Sequence, residues 1–412
     1  MFIKASEKGQ ALILITLAAV GLFAFAALAI DGSMAFSNKR HAQNAADAAA
    51  MAGALTYARE GNTTNIETVA LTRAEANGFK NVSGDTSTVV TVTITDSPIQ
   101  DCPGKAPGKD ITVTIESRMN TTFGKVIGRN TIESGATATS RACGFKFVPL
   151  FDGNAVVGLN KATPCAFDTG NGNANWKVKG GGIFSNGCAF SKNDDSVTFL
   201  DNGLCVSTVD GAQGQWGCTP KPAYEYDWDD YVNAIMPPDP CDGDADDIGI
   251  TPSSGQTTFS NGVYCITDMD SFTKKDITLD NATLYVKDDV FSLRFSGSGG
   301  LFGYATRRGT YPGSDDYDGY YMIVEPAAVC TKFSDNHHQV LEWRGNGEGS
   351  FYGTIFAPSA CLDLRGNGHA EGLHSQVIGW IVGSNGTADT YVNYKAEENH
   401  QIPISPSISL LE

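Results

Sequence analysis

The chain has 412 residues, of which 46 are glycine and 16 are proline, and a formal net charge of −17 at pH 7. This length predicts two or three domains rather than one core. The acidic charge argues against nucleic acid as a ligand, because phosphate binding needs a basic face. The glycine content and the scarcity of long amphipathic stretches beyond residue 80 predict a mainly β chain.

The N-terminal region is predicted to form one long hydrophobic helix. Residues 11–30 are uncharged and mostly apolar, and about twenty such residues cross a hydrocarbon layer of about 30 Å. Residues 35–58 contain ten alanines and no proline, so the helix should continue as a stalk until Gly61 stops it. A cleaved secretory signal is the alternative, but the apolar run exceeds the usual ~7–15 residues.

Three runs in this region resemble the start of TadE/TadG-like proteins of the Tad (tight adherence, Flp pilus) assembly system. They are residues 8–12 (KGQAL), residues 29–31 (AID) that end the apolar run, and residues 43–54 (QNAADAAAMAGA). The resemblance implies a prepilin peptidase site between Gly9 and Gln10. It departs from the pilins at Leu14, because pilin-like relatives usually carry a glutamate at that fifth mature position.

Small residues along the apolar run predict that helices can approach one another closely. They are Ala18, Gly21, Ala24 and Ala27. We therefore expect the helix to associate with further copies or with pilus-machinery proteins, and to lie in a membrane before assembly.

All ten cysteines follow the anchor helix, and none are spaced as C-x-x-C. An even number in loop-rich sequence predicts five disulfides in an oxidising compartment, with no metal–thiolate site. Sequence alone leaves the connectivity open, and we expect pairing between sequence neighbours. The expected pairs are Cys102 with Cys143, Cys165 with Cys188, Cys205 with Cys218, Cys241 with Cys265, and Cys330 with Cys361.

Three parts are predicted along the chain. Residues 1–62 form the anchor helix and its stalk. Residues 63–143 form a small pilin-like α+β module, because a helical segment at 66–77 precedes alternating segments at 89–95, 111–116 and 131–140. Residues 144–412 form a disulfide-rich β domain outside the cell.

The last part carries a loose repeat. RGNG occurs at residues 344–347 and 365–368, and GSNG follows at 383–386, with apolar stretches between them. Short strands separated by Asn-Gly turns at regular intervals predict a β-solenoid (β-helix). A β-sandwich of hairpins is the alternative, since Asn-Gly is also a strong hairpin turn.

A carboxylate-rich segment at residues 239–247 is a candidate Ca²⁺ site, because oxygen ligands two residues apart can wrap a hard cation. Its ligands would be Asp239, Asp242, Asp244, Asp246 and Asp247. The segment lacks the distal glutamate of an EF-hand. No other cofactor is expected.

Two further segments bear on chemistry and binding. Asp363, Arg365, His369 and His374 lie within twelve residues and could serve a polysaccharide-degrading enzyme, but no paired carboxylate accompanies them, so no catalytic residue is assigned. Residues 224–230 alternate aromatic rings with carboxylates, a pattern that suits surface glycans or a subunit interface.

These features favour a non-enzymatic cell-surface structural protein. It would be a pilin-like subunit or component of a Tad-like extracellular filament, inserted in the cytoplasmic membrane before assembly and displaying its β-rich outer domain for adhesion. A membrane-anchored carbohydrate-binding adhesin is the alternative, followed by a β-helix enzyme that degrades polysaccharides.

Overall fold

A computed structural model describes residues 10–170, 175–193, 196–201, 203–243, 247–296, 299–333, 337–344, 349–365, 373–384 and 389–411. The chain forms two compact units. Unit 1 comprises Met1–Phe147 and Pro403–Glu412, and unit 2 comprises Val148–Ile402.

The described residues form two α-helices, α1 (Gln10–Glu60) and α2 (Ile66–Ala76). The strands follow in chain order: β1 (Thr88–Asp96), β2 (Gly108–Asn120), β3 (Thr131–Cys143), β4 (Lys146–Pro149), β5 (Val156–Gly158), β6 (Phe167–Asp168), β7 (Trp176–Lys179), β8 (Ile183–Ser185), β9 (Ala189–Ser191), β10 (Val197–Phe199), β11 (Val206–Thr208), β12 (Ala212–Gly214), β13 (Lys221–Pro222), β14 (Gly249–Ile250), β15 (Thr258–Ile266), β16 (Asp276–Val286), β17 (Ser292–Ser296), β18 (Gly300–Tyr304), β19 (Tyr320–Val324), β20 (Val340–Arg344), β21 (Ser350–Tyr352), β22 (Thr354–Arg365), β23 (Val377–Gly383), β24 (Thr390–Asn393), β25 (Gln401–Ile404) and β26 (Ser407–Leu411).

Helix α1 confirms the long N-terminal helix predicted from the sequence. No proline interrupts its 51 residues, and alanine, the best helix former, dominates its second half. The helix stops where Gly61 adopts the left-handed conformation, with φ at 67°, and its N–H bonds the Tyr57 carbonyl at 2.8 Å. Glycine is favoured at such a C-terminal position because it has no Cβ to strain.

The core of unit 1 forms where the alanine-rich half of α1 packs on α2 and on one face of a sheet. The residues of α1 in this apolar core are Ala42, Ala45, Ala46, Ala49, Ala50, Ala54 and Tyr57. Small side chains let the backbone come close, and Gly53 shows how close: a Cβ there would lie 3.1 Å from methyl carbons of both Ile66 and Ile111. A side chain at Gly53 therefore requires Ile66 and Ile111 to shift by a few tenths of an ångström.

The sheet of unit 1 is antiparallel, with strand order β1-β2-β3-β26. Alternate residues of β2, including Ile111, Val113 and Ile115, are buried against the helices. Strand β26 comes from the far end of the sequence, and its Ser407 pairs with Cys143 of β3. The α+β character of the small module was predicted, but this fourth strand was not.

Unit 2 is built from parallel strand pairs. Thr258 of β15 faces Thr278 of β16, twenty residues further along the chain. Leu341 of β20 lies between Leu293 of β17 and Leu362 of β22, and all three are buried. Matched apolar residues on successive strands therefore stack into a continuous core.

The order of these strands does not follow the sequence. Strand β5 pairs with β8, and β8 pairs with β11, so the first strands advance in one direction. Strand β23 also pairs with β5, through Val377 and Val156. Strand β5 therefore lies between β8 and β23. Strands from early in unit 2 follow on one side of β5, and strands from late in unit 2 follow on the other.

The coarse prediction of a hydrophobic helix followed by a mainly β chain is confirmed. Within the described strands from β5 to β24, the pairs with a defined register are parallel, whereas a sandwich of hairpins requires antiparallel pairs.

Five disulfides join the ten cysteines, and no cysteine is free. The pairs are Cys102–Cys143 in unit 1 and Cys165–Cys188, Cys205–Cys218, Cys241–Cys265 and Cys330–Cys361 in unit 2. Each cysteine thus pairs with its neighbour in sequence, as predicted.

Candidate membrane and assembly site

The first half of α1 exposes its apolar side chains. Phe23 and Phe25 are 76% and 75% exposed, and the large residues from Ile13 to Ile30 share this exposure. Within the described residues, α1 is the one helix long and apolar enough to cross a membrane. An apolar surface of this extent requires lipid or protein around it.

The apolar run ends at Asp31, and this carboxylate binds a loop of unit 1. Asp31 Oδ1 accepts the Thr122 N–H at 2.8 Å, and Oδ2 accepts the N–H groups of Phe123 at 3.1 Å and Gly124 at 2.7 Å. The aspartate is only 6% exposed. Charge-assisted bonds of this kind are stronger than neutral ones, so Asp31 fixes the loop against the helix.

The loop that Asp31 holds connects β2 to β3, and we call residues 121–129 the Asp31 loop. The Thr121 N–H bonds the Asn130 carbonyl at 3.0 Å, and the Arg129 N–H bonds the Gly124 carbonyl at 2.9 Å. Gly128 supplies the positive φ, 80°, that closes the turn. The loop is thus a defined turn, and its N–H groups at residues 122–124 donate to Asp31 on the helix.

A groove of about 580 Å³ lies between α1 and the Asp31 loop. It is lined by Val20, Phe23, Ala24, Ala27, Leu28, Asp31, Phe123 and Gly124. The lining is apolar apart from the aspartate. Phe123 is 42% exposed.

The four small residues predicted to pack against other helices do not share one face. Ala24 and Ala27 line the groove beside Phe123. A three-residue spacing drifts around a helix of 3.6 residues per turn, so Ala18 lies on the side of α1 opposite Ala27, and neither Ala18 nor Gly21 lines the groove. A Cβ added at Gly21 would meet no atom within 4 Å.

The predicted processing site lies at the edge of what the structure describes. Gly9 is outside the described residues, and α1 begins at Gln10. Cleavage between Gly9 and Gln10 stays a prediction.

The family model of Flp pilus-assembly TadE/G-like proteins matches residues 9–56 of the chain. This match confirms the resemblance of the N-terminal region, and it covers almost the whole of α1. No curated protein and no solved structure matches the chain.

Two of the five predicted Ca²⁺ ligands bond a lysine. Lys287 Nζ bonds the carboxylates of Asp239 and, at 3.0 Å, Asp242, and these bonds raise the lysine pKa. Asp247 accepts the Gly243 N–H. Asp244 and Asp246 lie outside the described residues, and the part that is described holds no cluster of three metal-ligating side chains. Calcium binding stays a prediction.

The candidate catalytic residues are separated into two groups. Asp363 accepts a bond from Arg365 Nε at 2.7 Å, and Arg365 also contacts Glu342 Oε1 at 3.1 Å. Glu342 meets Arg294 Nε at 3.1 Å as well. Glu342 and Asp363 face each other on adjacent strands and are at most 1% exposed, so these ions neutralise one another inside the fold.

His374 belongs to the second group. Its Nδ1 lies 3.3 Å from Glu398 Oε2, and its ring packs on Tyr352 with 4.5 Å between centroids. His369 lies outside the described residues. The described arrangement therefore does not bring His374 to the Asp363–Arg365 pair.

The aromatic segment at residues 224–230 is divided between surface and interior. Tyr224 is 95% exposed. Tyr226 instead packs edge-on against Phe151, with 5.0 Å between centroids, and its hydroxyl donates to Asp152 at 3.0 Å. Of these two tyrosines, Tyr224 is therefore the one available to a ligand.

Sequence reasoning missed the role of Asp31 and of its loop. The signal was present, because Asp31 is the first charged residue after the apolar run and the loop sequence is rich in glycine and threonine. Pairing the two required knowledge of which strand connection faces that turn of the helix.

Proposed function

We propose that this protein is a non-enzymatic structural component of a Tad-like pilus, anchored by α1 in the cytoplasmic membrane and then assembled through the same helix. The observation that carries the proposal is the division of α1 into an exposed apolar half and an alanine half packed in unit 1. The pilus-assembly family match over residues 9–56 supports the same role.

Unit 2 is proposed to be the outer domain, folded as a β-solenoid and displayed for adhesion to surface glycans. The parallel register of its strands supports a coiled path, because Thr258 pairs with Thr278 and Val340 pairs with Cys361, at similar separations along the chain. Four disulfides in unit 2 support an oxidising location outside the cytoplasm. The exposed ring of Tyr224 supports contact with a sugar.

A structural role for the buried ions supports the absence of enzymatic activity. Asp363 is fully buried and bonded to Arg365, so its carboxylate does not face a cleft where a substrate would sit. Loss of glycan-degrading activity on Asp363→Asn would contradict this assignment.

The assembly role is tested at two small residues of α1 that do not line the groove beside the Asp31 loop. Ala18→Phe and Gly21→Phe place a large ring where a neighbouring helix would approach, and overpacking costs about 1–3 kcal/mol at each contact. Leu22→Phe is the matched control, because Leu22 is already large and lies near Ala18 around the helix axis. All three variants keep the segment apolar, so membrane insertion should be unchanged.

We expect Ala18→Phe and Gly21→Phe cells to form fewer or shorter surface fibres while the protein remains in the membrane fraction. Leu22→Phe cells should resemble wild type in electron micrographs. Normal fibres in both test variants would contradict assembly through α1. Fibres that lack this chain altogether would favour the membrane-anchored adhesin.

A further inference from the structure

The Asp31 loop lies beside the apolar segment rather than beyond it. Phe123 and Gly124 line the same groove as Ala24, Ala27 and Leu28, which belong to the last two turns before Ile30. If residues 13–30 span a bilayer, these turns lie where hydrocarbon gives way to headgroups. The loop must then share that depth.

We propose that the Asp31 loop is a membrane-binding element that enters the headgroup region of an anionic phospholipid bilayer. Phe123 faces the acyl chains along α1, and Lys125 and Arg129 face the lipid phosphates. The proposal rests on the membrane anchoring proposed above, and it names the surface that the anchored subunit contacts.

The backbone of the loop is prepared for a poorly hydrated environment. Asp31 accepts the N–H groups of residues 122, 123 and 124. The Gly128 N–H bonds the Lys125 carbonyl at 3.1 Å, and the Arg129 N–H bonds the Gly124 carbonyl. Lipid offers few partners to backbone groups, so a loop at this depth needs such internal bonds.

The side chains of the loop suit both the acyl-chain boundary and the anionic headgroups of a bilayer. Phe123 is 42% exposed and is one of the residues that line the groove. Lys125 and Arg129 are exposed on the same short turn. Basic residues next to a span are attracted to anionic lipid headgroups, and aromatic rings favour the boundary itself.

The apolar helix of a second copy is the competing occupant of the groove. Charge favours lipid, because residues 11–30 of that helix carry no acidic group to meet Lys125 and Arg129. A bilayer supplies both an apolar layer and anionic phosphates to the loop.

The test places a tryptophan on the loop of the full-length protein. All five native tryptophans lie in unit 2, so a Phe123→Trp variant, the loop reporter, adds one fluorophore to a background that the wild type measures. The protein is reconstituted in vesicles of phosphatidylcholine and phosphatidylglycerol. Some of the lipids carry bromine either near the headgroup or deep in the acyl chain, because bromine quenches tryptophan fluorescence at contact.

Two matched variants calibrate depth. Phe25→Trp, the span reporter, measures insertion of the apolar segment itself, since Phe25 lies within residues 13–30 and is exposed. Thr63→Trp, the stalk reporter, marks a site clear of the membrane, because 29 helical residues separate Asp31 from the end of α1 and extend about 44 Å.

We expect shallow bromine to quench the loop reporter about twofold more than deep bromine, as for an aromatic ring at the interface, while the stalk reporter is unquenched. Adding Lys125→Gln and Arg129→Gln to the loop reporter, or omitting phosphatidylglycerol from the vesicles, should reduce this quenching. Quenching unaffected by either change would overturn the role of the basic residues.

A quenched span reporter with an unquenched loop reporter would overturn the proposal and leave membrane anchoring intact. If the loop reporter is blue-shifted and unquenched in a way that depends on the protein-to-lipid ratio, the groove belongs to a second copy's helix instead. If the span reporter is also unquenched, membrane anchoring and the lipid-binding loop both fail.

Discussion

Asp31 and Gly124 lie 93 residues apart in the sequence, yet the Asp31 carboxylate accepts the Gly124 N–H at 2.7 Å. This bond joins the first charged residue after the exposed apolar segment to the connection between β2 and β3. It therefore sets where the folded part of unit 1 begins along the helix.

Replacing Asp31 tests how strongly this connection holds. Asp31→Ala leaves three backbone N–H groups without their acceptor, and we expect the unfolding free energy of unit 1 to fall by more than the loss of one neutral hydrogen bond would cause, because bonds to charged groups are the stronger ones. Amide hydrogen exchange should accelerate at residues 122–124. Ser33→Ala is the control, because its hydroxyl bonds the Ile30 carbonyl of the same helix. An equal loss of unfolding free energy in Asp31→Ala and Ser33→Ala would contradict the role of Asp31 in holding the loop.

The buried ions of unit 2 predict an asymmetry between two arginines. Arg365→Met leaves the buried carboxylates of Glu342 and Asp363 without their shared cation, and we expect a loss of about 3–5 kcal/mol in unfolding free energy. Arg294→Met should lower the unfolding free energy less, because Arg294 contacts only Glu342 of these two carboxylates and its side chain is 39% exposed. Urea unfolding of both variants measures the difference. An equal or larger loss for Arg294→Met would show that the assigned network is wrong.

His400 predicts acid sensitivity of unit 2. Its ring stacks on Tyr320 with 3.9 Å between centroids, and its Nδ1–H donates to the Asp318 carbonyl at 2.6 Å. Burial lowers the pKa of His400 to about 4 from its ordinary value of 6.5, although the Asp318 carbonyl opposes this shift. As the pH falls, the imidazole of the unfolded chain is protonated before that of the folded protein. The unfolding free energy that His400 contributes above about pH 6.5 is therefore lost as the pH drops to about 4, by about 3 kcal/mol in total.

The check is a comparison of unfolding free energies at about pH 7 and about pH 4. His400→Phe keeps the stacked ring but cannot titrate, so this part of the pH dependence should disappear. His337→Phe is the control, because His337 is exposed. Wild type and His400→Phe losing the same stability on acidification would contradict the role of His400.

The loss of unfolding free energy on removing a disulfide should increase with the length of chain that the disulfide closes. Cys330–Cys361 is buried and closes a separation of 31 residues, whereas Cys205–Cys218 closes one of 13. Replacing both partners with alanine should cost about 4 kcal/mol for the first pair and about 3 kcal/mol for the second, because a longer closed loop restricts the unfolded chain more. Thermal unfolding measures the order, and non-reducing peptide mapping should recover five linked pairs from the wild type. A reversed order would show that local packing outweighs loop closure.

Local patterns were sufficient for the parts of the fold that depend on nearby residues. The uninterrupted run from Gln10 to Gly61 determines one helix, and each cysteine pairs with its neighbour in sequence, across separations of 13 to 41 residues. Long-range pairings had no such signal. The contact of β23 with β5 joins Val377 to Val156, and the Asp31 loop meets α1 across 91 to 93 residues.

The candidate site was predicted only in part for the same reason. Apolar length identified the exposed half of α1, but the three-residue spacing of Ala18, Gly21, Ala24 and Ala27 suggested one packing stripe. Because that spacing drifts around the helix, Ala24 and Ala27 line the groove and the other two do not. A spacing of three and four in alternation would have kept the four residues on one face.

The pairing of Ser407 with Cys143 makes unit 2 an insertion in the sheet of unit 1. The chain leaves unit 1 just after β3 and re-enters it just before β26, and these two strands are neighbours. Two chain crossings therefore join unit 2 to unit 1, one on each side of the insertion. A single proteolytic cut at either crossing leaves the other covalent link intact.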